Sequence, residues 1–496
     1  MVKRTMVHMR LFPEVIPNWI AGVEVFSESG NTIDKCSPHS GEVISRITRS
    51  TSVDVLNAIK AAKASQTEWA EVPPVQRGYL LHQICNRMEE QQATIAKIVA
   101  KETGKSYQEA YGETGGAISL GRFFAGEGQR LYGRTTTSGQ VDKYAMTVRQ
   151  PCGVAGLIVA ANTPIANVAW KVFPALICGN SVVLKVPEDA PAVGWVFAKI
   201  LHEAGLPKGV CNVVQGLGIE AGAPIVESAD VDIVSFTGST EIGRWIAKTG
   251  SARLARISLE LGGKNPLVVC DDADLEHAVK WVCLSAFSNA GQRCAAGSRI
   301  IVFDGIYDRF RQMLVKAVSR LRLGPADEDD LGPVINRRQL DSMLAAIETA
   351  KLQGANVLIG GRRLSEEEYA SGYYMAPTVI DNIGRELEIS RAELFGPIAQ
   401  LYRVDGFEDA LNLANDSPYG LTACIHTKNF DRASHFVQKV RAGVAVVNAG
   451  TYGSEPHMPF GGYGMSGNGS REPGTEALDV YSELKDIYLN VDRGRL

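Results

Sequence analysis

Residues 152–238 read CGVAGLIVAANTPIANVAWKVFPALICGNSVVLKVPEDAPAVGWVFAKILHEAGLPKGVCNVVQGLGIEAGAPIVESADVDIVSFTG, and the rhythm of this stretch decides the fold. Short apolar runs (CGVAGLIVA, SVVLKV, VCNVVQG, VDIVSFTG) alternate with segments of helical period (WKVFPALICG, AVGWVFAKILHEAG, IEAGAPIVESA). Runs this apolar, spaced by helices, predict a parallel sheet covered on both faces.

Working outward, residues 53–127 carry apolar residues at helical spacing. A second α/β set starts near residue 265 with NPLVVCD, DLEHAVKWVCLSAFSNAG, RIIVF and IYDRFRQMLVKAVSRL, followed later by ANVLIGG and TVIDNI. Two α/β domains are expected, with a soft seam near LGGKNP. The polar stretch 129–150 and the tail 477–491 alternate like exposed strands, and exposed strand edges are commonly paired, often by another subunit.

Composition narrows the function. A chain of 496 residues, 45% hydrophobic and 21% charged, is that of a large globular protein, and a net charge of -4 gives no field to hold nucleic acid or an anionic membrane. No run of about 18 apolar residues occurs, and no apolar segment follows the basic start MVKRTMVHMR. Nine scattered cysteines without a C-x-x-C pair read as reduced thiols, so a cytoplasmic protein is expected. No H-E-x-x-H, paired Cys/His spacing or EF-hand loop points to a metal.

Several groups carry chemistry. Gly238, Ser239 and Gly243 follow the run VDIVSF and open a helix, whose first-turn amides suit a phosphate. Gly216, Gly218 and Gly222 nearly make G-x-G-x-x-G, and each of these two turns alone is equally a plain capped turn. Lys185 and Glu188 fall at the C-terminal end of SVVLKV, where α/β sheets hold ligands. A carboxylate there can accept from ribose hydroxyls and repels a 2′-phosphate. Glu260 ends an apolar run before Gly262-Gly263; it is either a general base raised by burial or a partnered structural carboxylate. Cys294, in FSNAGQRCAAGSR, has small neighbours that leave a sulfur approachable and Arg293 beside it to favour thiolate, yet a free cysteine is usually an inert core residue.

The combination LELGGKNP around Glu260, F-x-N-x-G-Q-x-C ending at Cys294, FTGSTEIG, Glu393 with LFGP, and PFGGYGMSG resembles the aldehyde dehydrogenase superfamily, in order and spacing from about residue 18 to 486. The resemblance implies a Rossmann-like cofactor domain (1–128 and 152–262), a catalytic domain (263–462), and a β-strand oligomerisation arm with C-terminal tail (129–151 and 463–496), assembled as a homodimer or homotetramer. It implies that Cys294 attacks an aldehyde, that the Asn162 side chain and the Cys294 amide hold the oxyanion, and that hydride transfer leaves a thioester. Glu260 would then activate the water that releases the acid.

For the cofactor, the resemblance assigns Lys185 and Glu188 to the adenosine ribose and Gly218, Gly222, Gly238, Ser239 and Gly243 to the pyrophosphate. Glu393 and Phe395 fall to the nicotinamide ribose and Trp170 to the pocket wall. Glu188 favours NAD, with NADP secondary. Departures cluster beside the substrate. Where the family commonly has P-W-N-F-P, this chain has Ala160-Ala161-Asn162-Thr163-Pro164, and Lys185-Val186 replaces Lys-Pro. With Thr163, Arg293, Tyr452 and His457 as wall residues, a polar or anionic semialdehyde is expected. The rival readings are a cofactor-free cysteine esterase or hydrolase and a non-catalytic scaffold. A CoA-acylating relative is a nearer rival, but that branch typically lacks the glutamate at the Glu260 position.

Overall fold

The computed structural model describes residues 11–495; the basic start at residues 1–10 lies outside them. The stretch 152–238 forms the predicted parallel strands Val154–Ile158, Ser181–Lys185, Cys211–Val214 and Ile233–Thr237, joined by Arg256–Glu260. The sheet order is Arg256–Glu260, Ile233–Thr237, Val154–Ile158, Ser181–Lys185, Cys211–Val214, with Asn18–Ile20 and Val23–Val25 added antiparallel at the edge. From Val154–Ile158 the chain winds outward in one direction and then returns to build on the other side. The switch point therefore lies between Val154–Ile158 and Ile233–Thr237, the place where sheets of this kind hold ligands in a crevice above the strand ends.

Helices cover both faces. The segment that reads helical from 53 to 127 is four helices, Ser52–Glu71, Pro74–Glu90, Gln92–Thr103 and Tyr107–Glu127. The last is capped by Ser106, whose hydroxyl accepts from the Glu109 N–H. One face packs Leu157, Val182, Leu184 and Val213 against Val172, Phe173 and Phe197; the other packs Val154, Val183 and Val234 against Val55, Ile59 and Ile225.

Only residues 261–264 separate Glu260 from the first strand of the second sheet, Asn265–Val269. That sheet runs Asn356–Ile359, Thr378–Asp381, Ile398–Val404, Gly297–Phe303, Asn265–Val269, Thr422–His426, Val444–Val447, parallel except at Asn356–Ile359. The helical period from Asp274 does not run through to Gly291 as the sequence suggests. The helix ends at Phe287, because Asn289, Ala290 and Gly291 all take left-handed backbone, with φ of 52°, 52° and 67°. Residues 129–150 and the tail form strands Thr135–Thr136, Lys143–Pro151 and Ser482–Asn490, which pair with one another, while Ala477–Tyr481 is a short helix. Among the described residues no helix is long and apolar enough to cross a membrane.

Candidate active site

The sequence motifs meet where the two sheets join. Leu261 N–H donates to Ser466 O at 3.0 Å, and a Cβ on Gly461 would lie 2.8 Å from Glu260 Oε1, so the PFGG segment backs the Glu260 carboxyl. Gly262 and Gly263 are required by crowding. A Cβ on Gly262 would sit 2.1 Å from Glu393 Oε2, and one on Gly263 would sit 2.6 Å from Cys294 O. Without side chains there, the Glu393 loop and the Cys294 loop both close onto the strand end, and the Gly263 N–H donates to Glu393 Oε1 at 3.0 Å. Phe395 holds a left-handed φ of 56° in the same loop, a strain that the surrounding contacts must maintain.

Cys294 lines a cavity of about 540 Å³ that also takes in Asn162, Thr163, Trp170, Arg293, Tyr452 and Phe460. Trp170 meets Phe460 edge-on, with ring centroids 5.3 Å apart. Asn162 Oδ1 accepts from Asn167 Nδ2 at 3.2 Å, which fixes the amide orientation and leaves the Asn162 Nδ2 hydrogens as donors. His457 is exposed and is not among the lining residues, although Glu455, 3.6 Å from its ring, and Pro456 beside it are.

Arg293 does two things at once. It forms one wall of the cavity, its guanidinium carbon 4.9 Å from the Tyr452 ring centroid, and its Nη2 lies 3.4 Å from Glu109 Oε1. Its Nε is buried without a hydrogen-bond partner, so the guanidinium keeps unused donor capacity at the wall. The residues that sequence alone does not flag are Glu109 and Glu113, one turn apart on helix Tyr107–Glu127, and Lys105 before it. Lys105 Nζ donates to Glu113 Oε2 at 2.6 Å and to Asn162 O at 2.7 Å. Their i,i+4 spacing is that of any solvated helix face, and only the tertiary fold turns them inward.

Three acids, Cys294, Glu260 and Glu393, lie close enough to act on one another. Burial pushes the Cys294 thiol up to about 12, with Glu393 and Glu260 adding to the rise and the Ala295 N–H and Arg293 opposing it weakly. Arg293 therefore does not make a resting thiolate. Burial and then the Glu472 charge hold Glu260 well above the ordinary carboxylate range, and neither of its oxygens has a hydrogen-bond partner. Burial also raises Glu393 to about 7. Beneath Glu260, Glu472 Oε2 accepts from Lys171 Nζ at 2.8 Å, while Oε1 accepts from Ser235, Ser258 and Tyr481 hydroxyls at 3.0, 3.1 and 2.9 Å. No signal in the sequence marks this buried pair.

The crevice side has a donor set that fits a dinucleotide. Lys185 ends its strand with Nζ 2.8 Å from Glu188 Oε2; burial opposes ionisation of Glu188, but the Lys185 charge and hydrogen bond outweigh it and hold the carboxylate below its ordinary range. Ser239 caps helix Thr240–Ser251, its hydroxyl accepting from the Ile242 N–H at 3.4 Å, and the other first-turn amides have no internal partner by construction. Gly243 lets that helix approach Leu261, where a Cβ would come within 2.5 Å. Gly218–Gly222 form a wide turn opening helix Ala223–Glu227, and a Cβ on Gly218 would meet nothing within 4 Å. Glu393 and Phe395 lie beside the cysteine loop, lining one small pocket with Gly291 and Arg293. Among the described residues no group of three or more His, Cys, Asp or Glu side chains is placed to hold a metal ion.

A donor set at the strand ends that fits a dinucleotide, together with a cavity lined by a cysteine, fits a cofactor-dependent oxidoreductase. The aldehyde dehydrogenase family model matches residues 25–487, and the chain belongs to that family. It is 39% identical to the alpha-ketoglutaric semialdehyde dehydrogenase of Bacillus subtilis, over 95% of this chain and 97% of the relative. It is 37% identical to the alpha-ketoglutarate semialdehyde dehydrogenase of Haloferax volcanii, over 95% and 98%. A crystal structure of Staphylococcus aureus betaine aldehyde dehydrogenase in complex with NAD+ superposes with a TM-score of 0.94 at 33% identity, covering 96% of this chain and 94% of that one.

Proposed function

We propose that this NAD-dependent aldehyde dehydrogenase acts on an anionic semialdehyde, an aldehyde with a carboxylate at its far end. The observation that carries the substrate class is Arg293, a cation in the cavity wall that is one quarter exposed, with N–H donors engaged by only one long contact to its counter-ion. A carboxylate entering the cavity gives those donors a charged acceptor, worth about 1.5–3 kcal/mol for one such hydrogen bond. The two relatives named for a keto-acid semialdehyde are consistent with the same chemistry.

The residues divide the work by position. Asn162 Nδ2 and the Cys294 N–H stabilise the oxyanion formed as the Cys294 sulfur, its thiol proton released to solvent, bonds to the carbonyl carbon and the C=O π pair moves onto oxygen. Lys185 and Glu188 would hold the adenosine ribose, the Gly218–Gly222 turn and the start of helix Thr240–Ser251 the pyrophosphate, and Glu393 and Phe395 the nicotinamide ribose. Bound there, NAD supplies the hydride acceptor. Glu260 takes a proton from the water that hydrolyses the thioester: its environment raises its affinity for a proton, and both its oxygens are free to receive one. The Glu188 carboxylate repels a 2′-phosphate, which sets NAD ahead of NADP. Nine unpaired cysteines suit a reducing compartment such as the cytoplasm, and the paired strands Lys143–Pro151 and Ser482–Asn490 suit a homodimer or homotetramer.

Kinetics over a matched series test the substrate: alpha-ketoglutaric semialdehyde, hexanal, benzaldehyde and betaine aldehyde, each with NAD. The acidic semialdehyde should have the highest kcat/KM, and Arg293→Met should lower it about 10- to 100-fold while leaving hexanal nearly unchanged. A preference for hexanal or for the cationic aldehyde would refute the substrate class.

A further inference from the structure

The loop before Cys294 is held in an unfavourable conformation by bonds centred on Asn289. Asn289 and Ala290 both sit in the left-handed region, at φ 52°, ψ 33° and φ 52°, ψ 35°, and Gly291 continues the turn at φ 67°. Two consecutive non-glycine residues there cost roughly 1–3 kcal/mol each and persist only where surrounding bonds over-determine them. Those bonds converge on Asn289, which is buried. Its N–H donates to Glu109 Oε1 at 3.0 Å, and its Nδ2 donates both to Asn162 O at 3.1 Å and to Gln292 O at 3.2 Å. The two side-chain bonds reach across two segments of the chain: the loop carrying the Asn162 amide and the loop carrying the Cys294 N–H.

We infer that Asn289 is a positioning residue that sets the spacing of the oxyanion hole, by tying the main chain of Asn162 to the main chain two residues before Cys294. The inference rests on the proposed role of Asn162 and the Cys294 N–H as oxyanion donors. The rest of the geometry agrees with a fixed spacing. Asn162 O takes a second bond from Lys105 Nζ at 2.7 Å, and Asn162 Oδ1 is held by Asn167, so the Asn289 bond closes the remaining freedom of this residue toward the cysteine. On the other side, Gln292 Oε1 accepts from the Ile335 N–H at 2.9 Å and Cys294 O accepts from Asn265 Nδ2 at 2.7 Å. Both loops are thus anchored to their own surroundings, and Asn289 is the side chain that joins them directly. Donors aimed at a developing charge lose much of their effect when displaced by even about 1 Å.

Two substitutions separate this role from a purely structural one. Asn289→Gly adopts the left-handed backbone without strain and keeps no amide; Asn289→Asp keeps the size and tolerates left-handed backbone but turns an acceptor toward two carbonyl oxygens. Three readouts are taken on the full-length protein: the thermal midpoint, the rate of Cys294 alkylation by iodoacetamide, and nucleotide-free hydrolysis of p-nitrophenyl acetate. Alkylation is a displacement at carbon that needs no oxyanion hole, whereas ester hydrolysis forms one. For Asn289→Gly we expect a folded protein with a modestly lower midpoint and an unchanged alkylation rate, with ester hydrolysis and the pre-steady-state rate of NADH formation both down about 10- to 100-fold. Asn289→Asp should show the same split between alkylation and hydrolysis, at a midpoint lowered further by a carboxylate buried against two carbonyls. Ester hydrolysis at the parent rate in Asn289→Gly, or an equal loss of alkylation and hydrolysis, overturns the positioning role. Asn162→Ala serves as the control. If it retains ester hydrolysis, the oxyanion reading itself fails and takes this inference with it; if it loses hydrolysis while Asn289→Gly does not, the inference alone fails.

Discussion

Burial first, and then the charges of Glu393 and Glu260, raise the Cys294 thiol to about 12, and the same crowding assigns different duties to the carboxyls. Glu260 has no hydrogen bond to either oxygen, so its charge is unsupported until water or substrate arrives. Glu260→Gln should therefore leave hydride transfer intact and stall thioester hydrolysis, because an amide cannot take a proton from water. Rapid mixing should show a burst of NADH near one equivalent per site followed by slow turnover; a proportional loss in both phases would place Glu260 earlier in the reaction. Glu393 supplies a pH test. Its folded-state value of about 7 lies above the ordinary 4.5, so the native state binds more protons than the unfolded chain between those values. Stability falls as pH rises through that window, and above pH 7 the full penalty is present. Gln at this position keeps an oxygen to accept the Gly263 N–H and carries no charge. Glu393→Gln should match the parent at pH 4.5 and exceed it by about 1–3 kcal/mol at pH 8, measured by urea unfolding. A constant difference across that range would show that the carboxyl is not held neutral by the fold.

At the scale of the strand and helix, the parallel strands were legible because burial on both faces writes an uninterrupted apolar run. Val154–Ile158, Ser181–Lys185, Cys211–Val214 and Ile233–Thr237 all fall inside predicted runs. The strands Ile398–Val404, Thr422–His426 and Val444–Val447 gave a weaker signal. Ile398–Val404 is interrupted by Gln400 and Arg403, whose places are decided by partners in other elements: Gln400 Nε2 donates to Ile389 O at 2.8 Å and Arg403 Nη1 to Asp304 Oδ1 at 2.7 Å. The left-handed turn after Phe287 was invisible, since nothing in SNAG forbids continued helix and the bonds that impose the turn come from Glu109 and Asn162. Strand ends, by contrast, place ligand groups by construction. Glu188 stands just beyond Ser181–Lys185 with Lys185 holding it ionised. Glu188→Ser removes the charge that repels a 2′-phosphate and leaves a hydroxyl for the ribose. The kcat/KM ratio of NAD to NADP should drop by about 10- to 100-fold, about 1.4–3 kcal/mol. Equal use of both cofactors by the parent protein would remove the basis for this assignment.

For the molecule as a whole, the sequence marked 129–150 and 477–491 as exposed strands without saying what they pair with. In the structure they find each other: Ser482–Asn490 runs antiparallel to Lys143–Pro151 over all nine residues. That pairing satisfies only one edge of Ser482–Asn490, the outer strand of this sheet, and leaves side chains uncovered. Directly opposed residues share a face, so Tyr144, Met146 and Val148 line up with Leu489, Ile487 and Lys485, and none of the five apolar members of this set is buried. A three-stranded sheet with no core of its own is marginal in water, and contiguous apolar side chains on it mark a contact surface. The homo-oligomer proposed above covers this face with a second copy, and charges placed there should break it. Met146→Glu combined with Ile487→Glu replaces two central apolar side chains by carboxylates that a closed interface would have to desolvate, at a cost of several kcal/mol each. Light scattering behind size exclusion should show the parent as a dimer or tetramer and the double variant as a smaller species. Because Cys294 and Glu260 belong to the two α/β domains and not to this sheet, the smaller species should still alkylate at Cys294 at the parent rate. An unchanged mass for the double variant would assign this face to solvent and leave the assembly to another surface.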